Sequence, residues 1–310
     1  MKHNIKISII LLTLFLITQL IGLAVVNFYL DKENKIPYGF DQKEQMEKTP
    51  NFYSQFLTSL ITSFIIVILL VLFLIKIKSS WFMRIWFFIV IVFAMGITIS
   101  ALLIKLNIIK ATTIALLLSL FLAYLKVFKK NPLTHNLTEL LVYPGIAAIF
   151  ATMLNLPITI LLLFLISIYD IWAVWHSKLM LKMAKYQMNE VGIFGGLFIP
   201  YASKKIKEKI KLLKLKYKNN IPENIIKKSK IKIRMAILGG GDIVYPIIAA
   251  GVAMKTFNAI YAPLLVIFFS CLALLYIFIF GKKEKPYPAM PYLTTGIYLG
   301  LLISWLISLI

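Results

Sequence analysis

LLLFLISIYD, residues 161–170, and AILGGGDIVYP, residues 236–246, each carry one aspartate inside an apolar run of membrane length. A charged side chain at mid-bilayer costs about 2.5–3.5 kcal/mol on insertion scales, so such residues are rare and mark function. Asp170 and Asp242 have the same sign and lie on neighbouring segments. Two carboxylates placed that way point to acid–base chemistry.

The rest of the chain has the same character. It has 310 residues, 60% of them hydrophobic, and a mean hydropathy of +0.87. No soluble domain can bury that much apolar surface, so the chain reads as a polytopic membrane protein. A span needs about 20 mostly apolar residues. Nine segments qualify, near residues 7–29, 56–75, 81–103, 108–125, 138–154, 157–177, 235–254, 259–280 and 288–309. The expected fold is all-α, with nine transmembrane helices. The apolar stretch at 7–29 is too long for the core of a signal peptide and reads as the first span. The fifth segment is short and holds Pro144 and Gly145. Residues 191–200 are apolar but too short to span, which suggests a re-entrant, interfacial or covering segment. The chain divides into residues 1–154, with helices one to five, and residues 155–310, with helices six to nine and a basic loop at 178–234.

A net charge of +22 raises the question of nucleic acid. Most basic residues flank apolar segments or sit in the one long loop. That distribution is a topology signal with attraction to lipid headgroups, and no nucleic-acid partner is expected. With the inter-segment regions numbered alternately, 27 of the 34 Lys and Arg fall on the N-terminal side and 7 on the other. The bias places the N-terminus in the cytoplasm and, with nine spans, the C-terminus outside the cell membrane. Within the loop, residues 206–218 (IKEKIKLLKLKYK) fit a basic helix on the inner leaflet and a solvated helix equally well.

Metal and redox chemistry have little support. The single cysteine, Cys271, excludes a disulfide framework. Three histidines and one cysteine argue against structural zinc. His135 and Glu139 have the i,i+4 spacing of a metal pair but no further ligands, and Glu139 is expected to snorkel at a helix end.

The two aspartates differ from Glu139. Asp170 lies eight residues before Lys178, and Asp242 eight residues after Arg234. Their helices run antiparallel, so at helical rise both carboxylates lie about 12 Å in from the cytoplasmic edge. Gly239, Gly240 and Gly241 precede Asp242 and permit close approach of another backbone. Pro246 has no N–H, so the carbonyl of residue 242 loses its helical partner. A third element, PYPAMP at residues 286–291, follows Lys285, and its three prolines prevent regular helix.

Tyr169-Asp170, Gly239-Gly240-Gly241-Asp242 and Pro288-Ala289-Met290 stand in that order along the chain. Together with the nine-span layout and the long loop between helices six and seven, they resemble the presenilin and signal peptide peptidase family of intramembrane aspartyl proteases. That family carries YD in the sixth helix, GxGD in the seventh and PAL before the ninth. Met290 stands where leucine is usual; the two are similar in volume and apolar, so fine substrate fit is affected first. The resemblance implies Asp170 and Asp242 as a catalytic dyad, Tyr169 as an active-site neighbour, and residues 288–290 as a substrate-positioning loop. It implies an intramembrane aspartic endopeptidase with no metal or cofactor. Its partners would be transmembrane-helix substrates and the bilayer, with no obligatory subunit evident. The charge bias favours the presenilin orientation, and the compact chain suggests a prokaryotic, archaeal homologue. The rival class is a transporter or channel using the two acids to relay protons or bind cations. It leaves the third motif unexplained. No H-E-x-x-H zinc motif is present.

Overall fold

The computed structural model describes residues 5–31, 33–40, scattered positions between 58 and 73, and residues 80–129, 131–177, 195–201, 234–281 and 287–309. Eight α-helices are described from end to end. They are α1 (Ile5–Leu30), α2 (Ser80–Lys105), α3 (Ala111–Phe128), α4 (Pro132–Met153), α5 (Leu156–Ile171), α6 (Gly240–Phe257), α7 (Tyr261–Phe280) and α8 (Met290–Ser308). Two strands, β1 (Gly196–Tyr201) and β2 (Arg234–Gly239), precede α6.

Helix boundaries follow local chemistry. Asn131 caps α4 by accepting the Leu133 N–H, and Asn155 caps α5 by accepting the Ile158 N–H. Each is followed by a proline in the first turn, where no intrahelical N–H bond is lost. Asn258, with φ 47°, ends α6 in the left-handed conformation. The fifth apolar segment, short in the sequence, is a helix of 22 residues with Pro144 inside it.

Among the described residues seven helices are long and apolar enough to cross a membrane: α1 to α4, α5 continued through Trp172–His176, α7 and α8. Nine spans are therefore not all present among the described residues. Of the second expected segment, 56–75, only residues 58, 59, 62, 65, 66, 69, 70 and 73 are described, each of them helical and exposed. The seventh, 235–254, differs from its expected form. Its first residues are strand, and α6 begins only at Gly240. The protein is all-α as expected, with one addition, a two-stranded antiparallel sheet. In it Gly196 pairs with Gly239 and Tyr201 with Arg234. The apolar stretch at 191–200 supplies most of β1. An apolar run of this length does not distinguish strand from helix by periodicity, and here backbone pairing across a long loop decides.

One apolar core joins α1, α4, α5, α6, α7 and α8. The centre of that core is α6, where every residue from Pro246 to Ala253 is buried. A second cluster lies between α2, α3 and α4. Membrane helices gain little from excluding water, so close packing and polar contacts carry the association. At Gly300 of α8 an added Cβ would sit 2.7 Å from the Val266 Cα of α7, so the two backbones touch. The Tyr29 hydroxyl of α1 donates to the Ile97 carbonyl of α2 at 2.8 Å. The Thr98 hydroxyl of α2 donates to the Leu141 carbonyl of α4 at 2.7 Å.

Candidate active site

Asp170 lies in the last turn of α5 and is 6% exposed. The next residues, Trp172–His176, form a π-helical turn, closed by the Ser177 N–H on the Trp172 carbonyl at 3.0 Å. A wide turn immediately after a buried carboxylate is common at functional positions. Tyr169 is half-buried, its ring 6.2 Å from that of Trp172.

The Asp170 carboxylate meets the start of α8. Its Oδ2 accepts the Met290 N–H at 3.0 Å, and the Ala289 N–H also engages it. Pro288 and Met290 are buried and Ala289 is half-buried. Helix starts carry unpaired N–H groups and a partial positive charge, so a carboxylate is well placed there. Toward the other end of the pair, Ser167 Oγ donates to Thr294 Oγ1 at 2.7 Å, and the Tyr298 hydroxyl donates to the Ile160 carbonyl. These contacts seat α5 against α8 in one register. Counted inward from Lys285 at helical rise, residues 288–290 would lie a few residues shallower than Asp170. The direct bond puts them level with it, because α8 begins at Met290 and aims its first N–H at the carboxylate.

Asp242 arrives by a different route. β2 ends at Gly239, which is also the cap of α6, so Gly240, Gly241 and Asp242 are the first three helical residues. Extended chain advances about 3.3 Å per residue, so depth counted from Arg234 at helical rise does not apply to Asp242. The carboxylate folds back over the cap, its Oδ2 3.1 Å from where a Cβ on Gly239 would stand. A Cβ at Gly239 would make the carboxylate give way by a few tenths of an ångström. Gly240 donates its N–H to the Gly195 carbonyl at 3.1 Å, and Gly241 is exposed. The three glycines thus serve three different purposes. Pro246 sits four residues beyond Asp242 and removes a helical donor. Gln19, buried in α1, donates from Nε2 to the Ile243 carbonyl at 2.9 Å and braces that loosened turn.

α6 packs on both α5 and α8, so the helices carrying Asp170 and Asp242 adjoin. Each carboxylate stands at a helix N-terminus, Asp242 at its own and Asp170 at that of α8. The partial positive charge of a helix N-terminus favours a carboxylate at each of these places.

Among the described residues no group of three His, Cys, Asp or Glu could hold a metal ion. Glu139 is not a snorkelling residue. It is 1% exposed and ion-paired with Lys126 of α3 at 2.7 Å, because α3 crosses α4 there and closes the route to water. Gln19 and Tyr143 were not singled out by sequence reasoning. A glutamine in the apolar run LITQLIG was the available signal for the first. The basic stretch 206–218 lies outside the described residues.

Comparison with known proteins bears on this geometry. A family model described as signal-peptide peptidase, presenilin aspartyl protease matches residues 12–310. Two crystal forms of a presenilin family intramembrane aspartate protease have the same fold. In the C222 form the TM-score is 0.59 at 16% identity, covering 97% of this chain and 99% of the other. In the P2 form it is 0.57 at 17% identity, covering 96% of each. No curated protein sequence matches the chain. With the family model spanning nearly all of its residues, this integral membrane protein belongs to the signal-peptide peptidase and presenilin family of aspartyl proteases.

Proposed function

We propose that this protein is an intramembrane aspartic endopeptidase that hydrolyses peptide bonds within transmembrane segments. Asp170 and Asp242 are its catalytic dyad. The observation that carries the reading is family membership over residues 12–310. Two membrane-embedded aspartates on adjoining helices support it.

Two nearby carboxylates do not both ionise readily, so the pair shares one proton. The ionised member removes a proton from a water molecule. That water attacks the scissile carbonyl carbon, and the protonated member donates to the developing oxyanion. Collapse of the tetrahedral intermediate breaks the C–N bond, and the amine leaves with a proton returned from the dyad. No covalent enzyme intermediate forms. The substrate helix must unwind first, since a helical carbonyl is shielded by its own turn. Pro288, Ala289 and Met290 border the unwound strand, and Tyr169 and Gly239–Gly241 shape the space around the carboxylates. The N-terminus faces the cytoplasm and the C-terminus the exterior, from the bias in basic residues. The transporter reading has no support from the comparisons.

The test is incubation of the purified protein with a model transmembrane peptide, with products identified by mass spectrometry. Wild type should cleave within the apolar segment, and Asp242→Ala should not. Cleavage by Asp242→Ala at the wild-type rate refutes the dyad.

A further inference from the structure

Helix α4 carries three buried polar side chains one turn apart: His135, Glu139 and Tyr143. Positions i, i+4 and i+8 share one face of a helix. Glu139 Oε1 is 2.7 Å from Lys126 Nζ and 3.3 Å from His135 Nε2. Both members of the Lys126–Glu139 pair have side chains 2% exposed. Charges at such depth persist only when paired.

This face leads to α6 by two routes. His135 Nε2 lies 2.9 Å from the Gly196 carbonyl. Its neighbour Asn136 pairs with both backbone groups of Phe198, donating to the carbonyl at 2.8 Å and accepting from the N–H at 3.1 Å. α4 thereby holds β1, and Gly195, just before β1, accepts the Gly240 N–H. The second route is Tyr143. Its ring lies against Gly240, where an added Cβ would stand 2.9 Å from Cε1 and 3.0 Å from the hydroxyl. The Tyr143 hydroxyl is buried, and Glu139 is the side chain it can engage. It also lies within electrostatic reach of Asp242.

We propose that Tyr143 is a positioning residue for Asp242: its ring seats Gly240, and its hydroxyl, backed by the Lys126–Glu139 pair, faces the first turn of α6. The inference rests on the protease reading above. That turn needs an external wall. Glycine costs about 1 kcal/mol of helix propensity per residue, and two of them open the helix. Pro246 removes a donor on the other side of Asp242. Displacing a reacting group by about 1 Å costs roughly 100-fold in rate, so the wall matters for turnover.

The test uses the full chain with Tyr143→Phe and Tyr143→Leu. Cleavage of a transmembrane peptide gives kcat and KM separately. Thermal unfolding and hydrogen exchange at amides 240–243 are measured on the same samples. Tyr143→Phe keeps the ring and loses the hydroxyl. It should lower kcat about 10-fold, the effect of about 1.4 kcal/mol on the barrier, with KM and melting temperature unchanged. Tyr143→Leu removes the wall, so kcat should fall about 100-fold and exchange at 240–243 should rise. Unchanged kcat and exchange in Tyr143→Leu overturn the proposal. So does a raised KM at constant kcat, which makes Tyr143 a substrate contact. A loss of kcat in Tyr143→Phe that tracks a lost melting temperature leaves only a structural role and also overturns it. If wild type cleaves no peptide, the protease reading fails, and exchange at 240–243 alone then decides the positioning claim.

Discussion

Asp170→Asn and Asp170→Ala separate two roles of one carboxylate. Oδ2 of Asp170 holds the Met290 N–H at 3.0 Å, at a site 6% exposed to solvent. Asparagine is isosteric and keeps a carbonyl oxygen for that N–H, but it cannot exchange a proton. Alanine removes the acceptor and leaves a buried donor at the start of α8. Pro291 has no N–H, so the first turn of α8 already has one donor fewer to anchor it. Leaving a buried donor unsatisfied costs about 1–3 kcal/mol. Both substitutions remove the same buried carboxyl group, so its desolvation cancels when they are compared with each other. The expected result is that Asp170→Ala is about 1–3 kcal/mol less stable than Asp170→Asn, by denaturant unfolding in the same bilayer mimic. Neither variant should cleave a transmembrane peptide, because a coupled acid–base pair fails when either member is lost. Equal stability of the two would refute the structural role assigned to the Asp170–Met290 bond. Cleavage by Asp170→Asn would refute the catalytic one.

A dyad sharing one proton predicts a bell-shaped rate profile whose limbs belong to the pair, and a single-limbed profile on a stable protein would count against it. Ala289 is half-buried beside Asp170, so Ala289→Phe should block peptide cleavage while thermal unfolding stays near wild type. Normal cleavage by a stable Ala289→Phe protein would make residues 288–290 structural only. The 27-to-7 distribution of basic residues predicts that a cysteine placed within 204–218 is labelled only from the cytoplasmic side, and external labelling would invert the topology.

Residues 161–170 and 236–246 stood out because carboxylates are rare within long apolar runs. Seven spans were legible for the same reason: a run of about 20 apolar residues needs no tertiary information to be read as a helix. The third motif was legible as a helix interruption, since prolines act locally. Glu139 was misread because burial depends on a neighbour. Nothing in residues 135–139 says that Lys126 of α3 will lie 2.7 Å away. The start of α6 was misplaced because AILGG is apolar whether it pairs as a strand or winds as a helix.

The sequence by itself determined that this protein lies in a membrane, carries two acids within long apolar runs and shares the ordered motifs of its family. Those properties are local: transfer free energy, charge and proline geometry are set residue by residue. Tertiary structure alone decided that β2 runs straight into α6, so that Asp242 stands in a first helical turn. It also decided that the Met290 N–H closes on Asp170, across 120 residues of chain. The same holds for Tyr143 against Gly240 and Gln19 on Ile243. Such contacts join segments far apart in sequence, and no short-range pattern encodes which backbone group a distant side chain will meet.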